Sequence, residues 1–352
     1  MKVTVWLVAA GAVIAFLVGC GQSKSSQSVE TTRPRSAVQK HPKPRAGKPH
    51  KKLKRVYLTL DEHEGPTSVG IMMAADRGYF ADVGLSVWIG DPQTPNRPVR
   101  YVAGETVDLG VTHLPEVALA QHRGAPIIAV GSLVPEPTAA MIWTRDSKVH
   151  GLRDLKGKTI AITGLPFQEQ FLQSVLARQG LNPKDVTVKK VGYELVNSLL
   201  FHKADAIFGG SWNLEAVELE ELAQKPTVTR VAKLGVPAYD ELVVIARKDR
   251  VAREPKLIRN FMSAVARGTA AAIKDPAAAV KVIEEGDEGN PDSTPEITKA
   301  ETEATLPLLS RDGFISPVHA ERLVEWMVRQ GMLNREPQIS QLLTNRFSPA
   351  RP

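Results

Sequence analysis

The sequence predicts an α/β protein with two lobes, and three observations support this fold class. Short runs rich in β-branched residues alternate with longer segments of helical periodicity between residues 56 and 250, as expected where helices cover mostly parallel sheets. Roughly 297 residues follow a polar N-terminal region, which is enough chain for two hydrophobic cores. After residue 255 the pattern becomes mostly helical, so the last part of the chain is expected to cover the sheets.

The predicted elements follow from these patterns in chain order. Strands are predicted at 56–60, 85–89, 108–111, 126–133, 159–163, 186–191, 204–208 and 242–247. Helices are predicted at 68–80, 114–123, 168–179, 193–203, 213–223, 255–274, 276–285, 295–309 and 317–330. Proline opens each of the last four helices, a position where its missing N–H is not needed. The alanine-rich stretch 264–272 predicts a helix that packs closely on a neighbour, because small side chains let helices approach.

The first 20 residues form a separate segment that ends at the single cysteine, Cys20. Residues 3–18 carry no charge and are too few to span a bilayer comfortably. The tetrapeptide Leu17-Val18-Gly19-Cys20 resembles a bacterial lipobox, which implies a cleaved signal peptide and lipidation of Cys20. We therefore expect an extracytoplasmic protein anchored to a membrane through this residue. The alternative is an uncleaved anchor with a cysteine nearby by chance.

Residues 21–55 predict a flexible, basic tether. They contain four prolines and no aromatic residue, so they cannot bury enough apolar surface to offset the entropy of ordering. Residues 1–55 hold twelve Lys or Arg and one acid, and since the whole chain carries +7, residues 56–352 carry −4. The basic character therefore belongs to the tether, and it does not indicate nucleic-acid binding by the folded part.

Several motifs resemble the type II solute-binding proteins of ABC importers. They are Leu60-Asp61 after the first strand, Gly78-Tyr79-Phe80 at a helix end, Gly84-Leu85-Ser86-Val87, and Asp154-Leu155-Lys156-Gly157-Lys158 before a later strand. The resemblance implies a two-lobed periplasmic-binding-protein-like type II fold, with 56–143 plus 241–352 as one lobe and 144–240 as the other. It also implies a monomeric receptor that closes around a small molecule and delivers it to a membrane permease and its ATPase.

Within that group, two segments are similar to the branch that binds thiamine-related aminopyrimidines. These are Trp212-Asn213-Leu214-Glu215 and the segment 235–242, Gly-Val-Pro-Ala-Tyr-Asp-Glu-Leu. The resemblance implies a flat ligand rich in hydrogen-bonding edges. Trp212 could stack on it, and Glu215 could accept from its exocyclic amine. Asn213 could bind the heteroaromatic edge, or it could cap the following helix. In that case Glu215 would interact favourably with the positive end of the helix dipole.

Two further places are candidates on the same reasoning. Tyr239 and Glu241 lie where the chain returns to the first lobe, so they could face ligand or support a hinge. Gly164 and Pro166 lie in a strand-to-helix turn, where backbone N–H groups could meet an electron-rich edge. Any strand-to-helix turn has the same local sequence character, so this second candidate is the less specific one.

The first lobe departs from the aminopyrimidine binders, which show Asp-Trp-x-Pro-Asn-x-x-His-x-Gly after the first strand. Asp61 and Gly70 match that pattern, but Glu62 stands at the tryptophan position and Ser68 at the histidine position. Acids thus replace an aromatic platform. The segment 62–64, Glu-His-Glu, could favour a cationic or more polar ligand, or it could be a solvated acidic loop.

The sequence lacks the usual enzymatic signatures. It has no Gly-x-Ser-x-Gly elbow, no His-Glu-x-x-His, no glycine-rich phosphate loop and no paired cysteines. We therefore predict no catalytic residues, no metal site and no cofactor. Riboflavin, a sulfonate such as taurine, or a cationic solute are alternative ligands. The remaining alternative is a pyrimidine synthase of this fold, a eukaryotic activity that uses its own histidine and iron near a cysteine-rich segment absent here.

Overall fold

The structure is a computed structural model that describes residues 53–92, 94–286 and 293–349. The predicted signal peptide, the predicted lipidation site at Cys20 and all but the last residues of the predicted tether lie outside the described residues. Within the described ranges, no helix has both the length and the hydropathy needed to cross a membrane.

In the ranges that the structure describes, ten strands form two five-stranded mixed sheets. The strands are β1 (Lys54–Thr59), β2 (Leu85–Gly90), β3 (Leu109–Thr112), β4 (Ile127–Val134), β5 (Ala139–Thr144), β6 (Thr159–Ile162), β7 (Thr187–Lys190), β8 (Ala206–Ser211), β9 (Pro226–Arg230) and β10 (Leu242–Arg247). The first sheet has the order β2-β1-β3-β10-β4 and the second β7-β6-β8-β5-β9. In each sheet one strand, β10 or β5, runs antiparallel to both of its neighbours. We call each sheet with the helices packed on it a lobe.

Thirteen α-helices are present in the described part of the chain. They are α1 (Val69–Asp76), α2 (Tyr79–Asp82), α3 (Arg97–Ala103), α4 (Leu114–His122), α5 (Gln168–Arg178), α6 (Leu195–Leu200), α7 (Glu215–Glu221), α8 (Lys248–Arg253), α9 (Pro255–Lys274), α10 (Pro276–Gly286), α11 (Pro295–Thr305), α12 (Pro317–Arg329) and α13 (Ile339–Leu342). The helix predicted at 68–80 is interrupted, because Gly78 takes a left-handed conformation with φ of 72°.

Two strands and three helices were not predicted. Strand β5 is buried at every position, so it has no polar alternation. The predicted first lobe extends to residue 143 and therefore includes most of this strand. The strand pairs instead with β8 and β9 in the second sheet, so the chain leaves the first sheet before Ala139. Strand β9 and the helices α3, α8 and α13 are short and carry little periodic signal.

Close packing of α1 on α9 agrees with the expectation from the alanine-rich stretch. Gly268 of α9 lies so near the carbonyl oxygen of Gly70 that a Cβ at residue 268 would overlap it. Phe80 of α2 stacks on Phe261 of α9 with ring centroids 5.2 Å apart. This contact joins the first β-α-β segment to the C-terminal helices, and it gives the first lobe one continuous core.

Candidate ligand-binding site

A cavity of about 300 Å³ lies between the two sheets, at the lower end of the ~300–1,000 Å³ usual for small-molecule sites. Residues that follow the carboxyl ends of the parallel strands border it, which is where ligands bind in open α/β sheets. The charged and aromatic residues of the lining are Asp61, Glu62, His63, Glu64, His113, Tyr193, Glu194, Glu215, Glu218, Glu241 and Glu301.

The loop after β1 brings a buried acid of the first lobe to the cavity. Asp61 is only 9% exposed, and its Oδ1 atom has no hydrogen-bond partner among the described residues. The neighbouring Glu62 is half-buried and accepts a hydrogen bond at Oε1 from the Thr67 hydroxyl, at 3.2 Å. The short 3-10 turn Pro66–Ser68 then leads into α1. The loop thus directs two adjacent carboxyl groups to the cavity.

Glu241 links the two places where the chain crosses between the sheets. Its Oε2 atom accepts from the backbone N–H groups of Thr138 at 2.8 Å and Ala139 at 3.2 Å. The Tyr239 hydroxyl donates to the same oxygen at 3.3 Å. Its other oxygen lies 3.4 Å from Nε2 of His113, the residue that follows β3. Glu241 therefore borders the cavity and also holds the two crossing segments together.

In the second lobe, hydrogen bonds to the preceding strand or turn orient one acid and one amide of the lining. Glu215 opens α7, and its Oε2 accepts from the Ser211 backbone N–H at the end of β8, at 2.6 Å. Gln168 opens α5, and its Oε1 accepts from the Thr163 hydroxyl at 2.6 Å and from two backbone N–H groups of the preceding turn. Each side chain is thus oriented by the strand that precedes its helix.

Tyr193 spans the cleft. It precedes α6 in the second lobe, and its hydroxyl donates to the backbone carbonyl of Asp61 in the first lobe at 2.8 Å. Its ring lies 5.4 Å from the ring of His63. On the remaining side, Ile283 of α10 and Ile297 of α11 cover the cavity. The structure therefore has the two lobes in contact across the site.

Burial controls the protonation of the cavity acids. It raises the pKa of Asp61 to about 6 and that of Glu241 to about 7, although backbone N–H groups oppose both shifts. It also raises the pKa of Glu215, and that of Glu62 rises well above its usual value through burial and through repulsion from Asp61 and Glu215. Burial lowers the pKa of His113 to about 4, so its imidazole is neutral at neutral pH.

The cavity brings together four of the nine predicted ligand-binding residues, Asp61, Glu62, Glu215 and Glu241. Trp212 is not in the lining, and the Arg230 guanidinium stacks on its ring at 3.7 Å. Asn213 is fully buried and donates to the Thr305 hydroxyl at 2.8 Å. The capping alternative for Asn213 was wrong, because Leu214 occupies the N-cap position of α7.

The other three predicted residues also lie outside the lining. Tyr239 is fully buried and packs edge-on against Phe171, with centroids 6.2 Å apart. At the strand-to-helix turn, Thr163 and Leu165 border the cavity, whereas Gly164 and Pro166 do not. The N–H groups of Gly164 and Leu165 already donate to Gln168.

The sequence reasoning missed His113, Gln168 and Tyr193. His113 had a detectable signal, because it follows β3 as Asp61 follows β1. Gln168 had a weaker one as the first residue of α5. Tyr193 had none, since its partner lies 132 positions away. Within the described residues, no group of three or more His, Cys, Asp or Glu is arranged to hold a metal ion.

Two mixed sheets with a cleft between them define the class as a two-lobed periplasmic-binding-protein fold. The alkanesulfonate-binding protein SsuA of Xanthomonas axonopodis pv. citri, solved with bound MOPS, superposes with a TM-score of 0.66. That match has 15% identity and covers 84% of this chain and 100% of the other. The aliphatic sulphonate-binding protein of Escherichia coli gives 0.64, with 13% identity over 83% and 92% of the two chains. Such identities show the fold alone.

The chain belongs to the NMT1/THI5-like family, whose model matches residues 65–279. A protein named for thiamine biosynthesis from Haemophilus influenzae is 32% identical over 61% of this chain and 68% of its own. A formylaminopyrimidine-binding protein of Halalkalibacterium halodurans is 28% identical, covering 66% and 70% of the two chains. A 4-amino-5-hydroxymethyl-2-methylpyrimidine phosphate synthase of Legionella pneumophila is 25% identical over 85% and 93%. The family thus includes a named binding protein and a named synthase.

Proposed function

We propose that this chain is the solute-binding receptor of an ABC importer and that its ligand is a thiamine-related aminopyrimidine. The observation that carries the proposal is the placement of Glu215 and Asp61, from opposite lobes, on one small cavity. Carboxyl groups accept hydrogen bonds from amino groups, and an aminopyrimidine presents such donors on its edge. The relationship to a formylaminopyrimidine-binding protein supports the same ligand class.

Contacts across the cleft support a receptor that signals occupancy by closure. The Tyr193 hydroxyl joins the lobes at Asp61, and Glu241 joins the two crossing segments. A ligand that touches both Asp61 and Glu215 favours the closed arrangement over an open one, because only the closed arrangement offers both contacts. The closed form is then the one recognised by the permease and its ATPase.

The alternative is catalysis, and it is favoured by one observation. The synthase from Legionella pneumophila matches a larger share of this chain than the binding protein does, 85% against 66%. We nevertheless infer a binding role, because Glu241 and Tyr193, which border the cavity, make hydrogen bonds that join the lobes. Recovery of intact ligand after binding separates the two functions.

For localisation, we propose an extracytoplasmic protein anchored through a lipid on Cys20. The Leu-Val-Gly-Cys sequence before the basic tether supports this placement, and the binding-protein fold is consistent with it. Cells grown with a labelled fatty acid are expected to transfer label to the wild-type protein and not to the Cys20→Ser variant. Equal labelling of the two proteins would contradict lipidation at this residue.

The ligand assignment predicts a specific loss of affinity. Glu215→Gln keeps the size of the side chain and an acceptor for the Ser211 N–H, but it replaces one carboxylate oxygen by a donor. We expect the affinity for the aminopyrimidine to fall at least several-fold, roughly the loss of one hydrogen bond to a charged group. Isothermal calorimetry measures it.

The matched control is Glu220→Gln, on the exposed side of the same helix, which is expected to bind like wild type. An unchanged affinity for Glu215→Gln would remove this residue from the site. A wild-type protein that gives no heat with the aminopyrimidine would overturn the ligand assignment. Thiamine, riboflavin and taurine are measured in parallel, and binding of one of these instead would identify an alternative ligand.

A further inference from the structure

Acidic side chains line the cavity from both lobes and from α11. Glu62 and Asp61 approach from the first lobe, Glu215 and Glu218 from α7, and Glu301 from α11. Among the described lining residues there is no lysine or arginine. The carboxyl groups of Asp61, Glu215 and Glu301 all repel a charge on Glu62. A ligand that brings positive charge relieves this repulsion, whereas a neutral ligand leaves it in place.

Asp61 gives independent evidence that a donor is expected at this point. Its side chain is more than nine-tenths buried, it borders the cavity, and Oδ1 has no partner among the described residues. Buried carboxylate oxygens are costly when no donor reaches them. The neighbouring Tyr193 hydroxyl does not donate to Oδ1, because it donates to the backbone carbonyl of Asp61. A ligand N–H group on the cavity side is the missing partner.

One place where this fold could hold an anion is occupied by the chain itself. A helix N-terminus after a strand offers backbone N–H groups to phosphate or sulfonate. At the start of α5, however, the N–H groups of Gly164 and Leu165 donate to Oε1 of Gln168, at 2.9 and 3.1 Å. The chain's own amide therefore takes the position that an anionic ligand would need.

We propose that the cleft selects a small heteroaromatic molecule carrying a protonated primary amine, with the ammonium group bound at Asp61 on the first-lobe side. This deepens the proposed function and rests on it for the pyrimidine part, while the preference for charge rests on the cavity alone. The site discriminates against the neutral N-formyl derivative of the same molecule. It also discriminates against a phosphate ester.

The test compares ligands that differ in charge, at pH 7.5 and with the intact protein. An aminopyrimidine with a free aminomethyl group is titrated beside its N-formyl derivative and the hydroxymethylpyrimidine phosphate. We expect the amine to bind at least about ten-fold more tightly than the N-formyl derivative, as for one charge-assisted hydrogen bond. The phosphate is expected to bind more weakly than both. A smaller preference, a preference for the formyl derivative or tight phosphate binding would overturn the proposal.

A second pair, benzylamine and N-formylbenzylamine, separates this proposal from the ligand assignment. If no pyrimidine binds but benzylamine stabilises the protein and its formyl derivative does not, the pyrimidine assignment fails and the charge preference stands. If the formylated pyrimidine binds most tightly, the pyrimidine assignment stands and the charge preference fails. If neither amine binds, the charge preference is overturned as well.

Variants locate the charge contact. Asp61→Asn keeps the shape of the side chain, and it is expected to lower the affinity for the amine at least about ten-fold while changing that for the N-formyl derivative about two-fold or less. Asp76→Asn, on the exposed end of α1, is the control and is expected to match wild type for both ligands. Equal losses for both ligands in Asp61→Asn would show a structural role and overturn the contact.

Discussion

Replacing Glu241 by alanine is expected to lower the melting temperature by roughly 5–15 °C. The carboxyl group accepts from the backbone N–H groups of Thr138 and Ala139 and from the Tyr239 hydroxyl. Alanine leaves these buried donors without an acceptor, at a cost of about 1–3 kcal/mol for each. Because the donors lie on both crossing segments, the loss weakens the connection between the lobes as well as the local packing.

Glutamine at the same position is the informative comparison. Its carbonyl oxygen can accept from the same donors, so Glu241→Gln is expected to melt within a few degrees of wild type at pH 5. Glu220→Ala, at an exposed position of α7, controls for the general effect of removing a glutamate. Thermal denaturation followed by circular dichroism measures all three. Equal destabilisation by alanine and glutamine would contradict the role of Glu241 as an acceptor.

The second large effect is on the pH dependence of stability without ligand. Burial raises the pKa of Asp61 to about 6 and of Glu241 to about 7, whereas both groups titrate near pH 4 in the unfolded chain. Between about pH 4 and 7 the folded protein therefore holds protons that the unfolded chain has released. The free energy of unfolding must fall as pH rises through this range, by at most about 3 kcal/mol for each group.

The Glu241→Gln variant measures how much Glu241 contributes to this pH dependence of the free energy of unfolding, because glutamine does not titrate. We expect the melting temperature of the variant, relative to wild type, to rise by several degrees between pH 5 and pH 8. Titrating groups remote from Glu241, such as the Asp249 carboxyl whose pKa Arg247 lowers, act equally in both proteins and cancel. A constant difference between variant and wild type across this range would contradict a buried, protonated Glu241.

The pattern of β-branched runs predicted eight of the ten described strands, because β-branched side chains fit the pleated surface of a sheet and these runs are bounded by polar or glycine residues. Strand β5 was not predicted by this pattern. Its sequence, Ala-Ala-Met-Ile-Trp-Thr, has a single β-branched residue before the terminal threonine, and its partners come much later, with Ala140 beside both Gly210 and Arg230. The lobe to which such a strand belongs depends on contacts that no local pattern contains.

The side chains of the site could also be predicted only in part from the sequence. Asp61 and Glu215 could be proposed because each follows a recognisable strand. Trp212 and Asn213 belong to the same segment as Glu215, yet Trp212 lies against Arg230 and Asn213 against Thr305 of α11. Which side chain faces the cavity depends on how the chain turns between β8 and α7. That turn is held by a hydrogen bond to a helix residue 92 positions away, a contact that no local pattern contains.

The central claim is that this chain binds an aminopyrimidine and does not convert it. The most direct measurement is to incubate the protein with one equivalent of ligand, remove unbound ligand, denature the complex and identify the released molecule by mass spectrometry. The account predicts about one equivalent of unchanged aminopyrimidine from wild type and markedly less from Glu215→Gln. Release of a chemically altered pyrimidine, or no retention of ligand by wild type, would contradict it.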